Sequence, residues 1–141
     1  MADGRGGTKR AAGQGGWEPL LDLLRTFRDD RDWKQFHNPK DLAAAIAIEA
    51  GELQEHFLWK TKEEVAADLA APGRRQAVVD ELADVLICSL LLADCLGIDI
   101  DRAVREKTAA NARKYPVSRA KGTARKYTEL RRSRSRGDGS G

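Results

Sequence analysis

No stretch of this 141-residue sequence stays apolar long enough to cross a bilayer. The longest such run, Val85 to Ala93 with Ser89 inside it, falls far short of the roughly 20 residues a membrane helix needs. The N-terminal segment MADGRGGTKRAAGQGG has no apolar core, so no secretory signal is read there and a cytoplasmic protein is expected. Only two cysteines are present, Cys88 and Cys95. In one continuous helix they stand about 10 Å apart along the axis, too far to bridge, so free buried thiols in a reducing compartment are expected. Aromatic residues make up only 6% of the chain, which at this length leaves room for one domain with a modest core. Sustained alternation of apolar and polar residues between hairpin turns is also missing. That excludes a sheet and leaves an all-α fold.

Charge is unevenly distributed. Residues 119–141 hold eight Lys/Arg against two acids and residues 1–16 hold three against one, so the segment between them has fourteen basic and nineteen acidic side chains. The formal net charge of +3 therefore conceals an acidic middle between basic ends, and the folded part is not expected to have a nucleic-acid partner. Both ends are poor in apolar side chains and read as disordered. The resulting organisation is an N-terminal tail over 1–16, an all-α domain over 17–118, and a basic extension over 119–141, mostly disordered after 130.

Helix signals fill the middle. Trp17, Leu20, Leu21, Leu24 and Phe27 recur every three to four residues and predict a first helix ending near Asp30. Asn38 as N-cap with Pro39 at the first helical position predicts a second, running to about Trp59. Thr61 and Glu64 form a capping box for a short third helix that APGRR ends. A fourth is expected from about Arg75 to Leu96, closed by Gly97. Asp99 caps a fifth, which must stop before Pro116. The result is a four- to five-helix bundle. The fourth helix, with VLICSLLLA, is apolar around most of its circumference and must be covered on every side. Either it lies at the centre of the bundle or a second copy of the chain covers it, and we expect a homo-oligomer.

Against this apolar background the acids stand out. Glu49 and Glu52 lie three apart on the second helix, beside Leu53 and Phe57. Glu81 and Asp84 repeat the spacing on the fourth, beside Leu82, Val85 and Leu86. If the two pairs face each other, carboxylates about 6 Å apart repel by roughly 3 kcal/mol at an effective dielectric near 20. Protonation or a cation must then relieve them. An all-oxygen ligand set suits Mg²⁺, with Mn²⁺ as an alternative. Either pair alone is more often a feature of a solvated helix face than a site, whereas two pairs on adjacent core helices are rarer. A di-iron carboxylate bundle calls for two Glu-x-x-His motifs, whereas here His56 follows Glu52 by four and has no second copy.

EAGELQEHFLWK at 49–60, followed by DELADVL at 80–86, resembles the Glu-x-x-Glu and Glu-x-x-Asp signature of the MazG-like, all-α nucleotide pyrophosphohydrolases. RDWKQFHNPKDL at 31–42, NARKYP at 111–116 and ARKYTEL at 124–130 are similar to the dCTP pyrophosphatase branch of that superfamily. The resemblance covers roughly residues 17–130. It implies hydrolysis of a nucleoside triphosphate between the α and β phosphates, with Glu49, Glu52, Glu81 and Asp84 as catalytic metal ligands. It also implies Lys107, Asn111, Lys114 and Tyr115 as phosphate-binding residues. These four fall near one stripe of the last helix. Trp33 and Trp59 match aromatic residues that stack on the base, and His37 lies in the same string as Trp33. The family further implies a tetramer built as a dimer of dimers, or a dimer, with pockets shared between subunits.

Two positions depart from the animal dCTP enzymes: Leu24 stands where they carry a histidine and Cys88 where they carry a tyrosine. Cys88 lies seven residues after Glu81 and four after Asp84, hence on the acidic face. Without those two rings the base pocket is larger and more apolar, which leaves open whether dCTP or a modified pyrimidine deoxynucleotide is the substrate. A reading from a different class is a non-catalytic helical interaction module whose RRSRSR tail binds nucleic acid.

Overall fold

The computed structural model describes residues 16–130, and among these every regular element is helical: α1 (Glu18–Asp29), a 3-10 turn (Trp33–Phe36), α2 (Pro39–Glu55), α3 (Lys62–Ala70), α4 (Pro72–Leu96), α5 (Ile100–Lys114) and the single turn α6 (Val117–Ala120), with 127–130 helical as well. The expected caps form. The Asn38 side chain accepts from the Asp41 N–H at 3.0 Å, and Thr61 and Glu64 make both bonds of a capping box. Gly97 ends α4 at φ 64°, in the left-handed region that glycine enters without a side-chain clash. The Asp99 side chain accepts from the Arg102 N–H to start α5. Two boundaries differ from expectation. α4 begins at Pro72 rather than Arg75, since a proline is favourable at the first helical position. α2 stops at Glu55, short of Trp59, because residues 56–59 fold into a turn.

The contacts divide the chain into one unit ending at Ile98 and another beginning at Asp99. In the first unit α4 is the axis, with α2 packed along its length and α1 and α3 against it. α2 and α4 run antiparallel: the Cys95 thiol near the end of α4 reaches the His37 carbonyl just before α2, while Glu81 near the start of α4 meets Glu49 and Glu52 toward the end of α2. The buried apolar centre of this unit is small and lies near the C-terminal end of α4, where Leu90, Leu91 and Ala93 join Leu21 of α1 and Leu42 of α2 in being buried. Arg25 and Arg28 of α1 both grip Asp94 of α4, at 2.7 and 2.9 Å.

Within the first unit α4 is not fully enclosed by the described residues: Val79, Leu82 and Leu86 remain 40–48% exposed, so these residues do not supply the expected cover on every side. The thiols are free as expected, but only Cys88 is partly buried. Cys95 is exposed, because it lies one residue beyond Asp94, near the end of the helix. In the second unit, Tyr115 and Tyr127 meet edge to face with ring centroids 6.2 Å apart. The expected tails fall outside the described residues at 1–15 and 131–141, the latter including RRSRSR. No described helix is long and apolar enough to cross a membrane.

Candidate metal and nucleotide site

Three of the acids converge because α2 and α4 are antiparallel, with Glu49 and Glu52 on α2 and Glu81 on α4 brought together. Glu49 and Glu52 from α2 and Glu81 from α4 each offer a carboxylate oxygen, all within 4.8 Å of one another. Asp84 is not within that group, yet its charge reaches Glu49. Partial burial pushes the Glu49 carboxyl above its ordinary value, and the neighbouring charges of Glu52, Asp84 and Glu81 add to the rise. Among the described residues no lysine or arginine pairs with any of the four. A set of hard oxygen donors with unrelieved repulsion fits a divalent cation such as Mg²⁺ or Mn²⁺.

Cys88 follows on the same face of α4. Burial raises its pKa, and the nearby charges of Glu49 and Asp84 raise it further, so it stands beside the acids as a neutral thiol. Leu24 is half-buried on α1.

The three aromatic candidates lie at turns. Trp33 opens the 3-10 turn directly after Asp32, which is held at φ 54°, ψ 32°. The Gln35 amide donates to both the carboxylate and the carbonyl of Asp32 and keeps that bend in place. The Trp33 ring meets Phe27 edge to face at 5.8 Å, and the Arg31 guanidinium lies 3.7 Å over the Phe27 ring. His37 ends the same segment. Its carbonyl accepts from Cys95, while its Nδ1 is buried without a hydrogen-bond partner among the described residues. Trp59, at φ 60°, is 94% exposed.

In the second unit, Lys107, Asn111, Lys114 and Tyr115 are all exposed on α5 or at its end, and neither lysine pairs with an acid among the described residues. The sequence reading did not anticipate Arg31, Gln35, Lys60 or Asp68, which hold the two tryptophan turns. Their partners are set by the tertiary fold and by side-chain geometry at turns, which helical spacing does not reveal.

Comparison with known proteins identifies the family. A family model described as the MazG-like family matches residues 44–130. The chain is 40% identical over 137 residues to dCTP pyrophosphatase 1 of Rattus norvegicus, spanning 92% of this chain and 81% of the rat protein. It is 43% identical over 117 residues to dCTP pyrophosphatase 1 of Homo sapiens, spanning 80% of this chain and 69% of the human protein. A crystal structure of a pyrophosphatase from Archaeoglobus fulgidus superimposes with a TM-score of 0.67 at 45% identity, covering 72% of this chain and 94% of that one. The helical order, the acid pairs brought together by α2 and α4, and matches of this extent make the chain a member of the MazG-like family.

Proposed function

We propose that this chain is a nucleoside triphosphate pyrophosphohydrolase acting on dCTP or a base-modified pyrimidine deoxynucleotide. It releases pyrophosphate and leaves the nucleoside monophosphate. The observation that carries this reading is the convergence of Glu49, Glu52 and Glu81 from two antiparallel helices. The names of the rat and human relatives support the nucleotide class.

Glu49, Glu52, Glu81 and Asp84 would hold Mg²⁺, or Mn²⁺ in its place. When bound, the ion neutralises phosphate charge and lowers the cost of deprotonating the attacking water. The remaining work belongs to the chain. Lys107 and Lys114 supply positive charge to the phosphates, with Asn111 and Tyr115 as hydrogen-bonding partners. Trp33 and Trp59 stack on the base, an interaction worth roughly 1–3 kcal/mol per base that discriminates little between bases. Selection among bases therefore falls to His37, Leu24 and Cys88. The thiol of Cys88 is small and neutral, and it leaves room beside the base that a tyrosine would fill.

The active form is a homo-oligomer in the cytoplasm, a tetramer built as a dimer of dimers or else a dimer. The exposed apolar side chains of α4 and the nearly complete exposure of Trp59 support it, since a neighbouring subunit would cover both.

The test is a panel of canonical and base-modified triphosphates, assayed for pyrophosphate release with Mg²⁺, with Mn²⁺ and with chelator, and ranked by kcat/KM. Release from dCTP or a close relative only with a divalent cation is expected. No release from any member of the panel would overturn the reading.

A further inference from the structure

The turn after α2 is built at a cost. The Lys60 N–H closes on the Phe57 carbonyl at 3.3 Å, which makes Leu58 and Trp59 the central residues of a four-residue turn. A positive φ at the third position of such a turn is ordinarily met by glycine or asparagine. Here a tryptophan occupies it at φ 60°. A bulky side chain in that region is a backbone outlier, and such outliers persist only where the surroundings over-determine them. Within its own subunit no burial of the indole repays the strain, because Trp59 is 94% exposed there.

The next residue supplies the restraint. The Lys60 ammonium donates to the His56 carbonyl at the frayed end of α2 and to Asp68 Oδ2 on α3, both at 2.7 Å. Arg74 at the start of α4 approaches the other oxygen of Asp68 at 3.5 Å. Lys60 and Asp68 are both part-buried, beside a small cleft lined by Phe57, Val65, Leu69 and Val78. Asp68 of α3 is thus tied directly to the start of α4 and, through Lys60, to the end of α2, and that lysine is the immediate neighbour of the strained tryptophan.

We infer that Lys60 and Asp68 are positioning residues for nucleotide binding: their ion pair locks the 56–60 turn and presents the Trp59 indole, already ordered, to the substrate base. The inference rests on the reading that Trp59 stacks on the base. Its advantage is entropic. A ring ordered before binding surrenders less freedom on binding than one on a loose loop. Removing the lock therefore weakens nucleotide binding while leaving the chemistry at Glu49, Glu52 and Glu81 intact.

A double-mutant cycle on the full chain tests it. Trp59→Ala is expected to raise KM for the best triphosphate about tenfold, within the range of one lost base stack. Asp68→Ala and Lys60→Met are each expected to raise KM several-fold with kcat nearly unchanged, and Lys60→Arg to restore most of the loss. In the Trp59→Ala background the same two changes should raise KM no further. If Trp59→Ala raises KM and the clip variants do not, the clip is a structural staple and the inference fails while the stacking reading stands. A further rise in the Trp59→Ala background, or a fall in kcat matching the rise in KM, also overturns the inference. If Trp59→Ala itself leaves KM unchanged, the stacking reading falls and the inference with it. Should Asp68→Ala fail to fold, Lys60→Met completes the cycle, since its apolar stem keeps the packing.

Discussion

Glu49 of α2 and Glu81 of α4 bring carboxylate oxygens within 4.8 Å of each other and of Glu52. In the metal-free chain this proximity opposes folding. Partial burial and the charges of Glu52, Asp84 and Glu81 raise the Glu49 carboxyl above its ordinary 4.5, so the folded state binds that proton more tightly than the unfolded state. Its stabilising effect is complete below pH 4.5 and is lost as pH rises through the raised folded value. Metal-free protein should therefore melt at progressively lower temperature across that window. At pH 7, Mg²⁺ or Mn²⁺ in hundredfold excess over its Kd should add about 2.7 kcal/mol, several degrees in Tm. Calorimetry with and without chelator measures both effects. A Tm at pH 7 indifferent to both cations would count against a metal site.

Glu52→Gln and Glu81→Gln should separate catalysis from folding. Each keeps the side-chain size and removes one charge, so each should raise the Tm of the metal-free protein while lowering pyrophosphate release by about a hundredfold or more, the scale of losing one preorganised electrostatic contact. Variants that lose activity and Tm together would assign the acids to the scaffold.

Much of this fold was legible in the sequence because its punctuation is local. The bonds at Asn38, Thr61 and Asp99 span three residues, and the Gly97 stop lies in its own backbone. The i, i+3 acid pairs were legible for the same reason, and only their convergence needed the antiparallel packing of α2 and α4. The end of α2 was not legible. Nothing in HFLWK resembles a helix stop, since the break depends on Lys60 reaching Asp68 on the next helix. Likewise, apolar pattern alone made Leu82 and Leu86 core residues. A pattern says that a face is to be covered, and not by which chain.

Asp94 should be a stability residue. Burial pushes its carboxyl up, but the bonds from Arg25 and Arg28 outweigh that and hold it below 3.8. Its contribution is therefore present above pH 3.8 and lost as pH falls through the lower folded value. Its side chain is only 17% exposed and that of Arg28 only 8%. Asp94→Asn leaves two cations facing a neutral amide and should cost about 2–3 kcal/mol at pH 7, somewhat less than for a fully buried pair. Denaturant titrations should show that difference shrinking below pH 3.8. Equal stability at pH 7 would contradict the assignment.

Base preference should respond to Cys88 and Leu24. Cys88→Tyr together with Leu24→His restores the two rings that the animal dCTP enzymes carry at the matching positions. The double variant should shift the kcat/KM ratio toward dCTP over other pyrimidine triphosphates by about tenfold or more, because a pocket that hydrogen-bonds its substrate rejects analogues lacking the partner. It should also turn over base-modified pyrimidines more slowly than the parent, since the phenol fills space the thiol leaves open. Unchanged ratios would place base selection elsewhere.

The exposed apolar face of α4 yields the last prediction. Leu82 is 48% exposed and Leu86 43%, one helical turn apart and close in sequence to Glu81, Asp84 and Cys88. A monomer would leave these side chains in water. Fully burying one leucine is worth about 1.5–3 kcal/mol, so a symmetric interface that covered several of them from each copy would gain from their burial. Light scattering on size-separated protein should report a dimer or tetramer down to low micromolar concentration. Leu86→Glu would bury a charge there and should weaken association by about a hundredfold or more, close to 3 kcal/mol. If Trp33 and Trp59 serve a neighbouring subunit's metal site, activity should fall in step with the oligomer on dilution. A fully active monomer would show that one chain completes its own pocket.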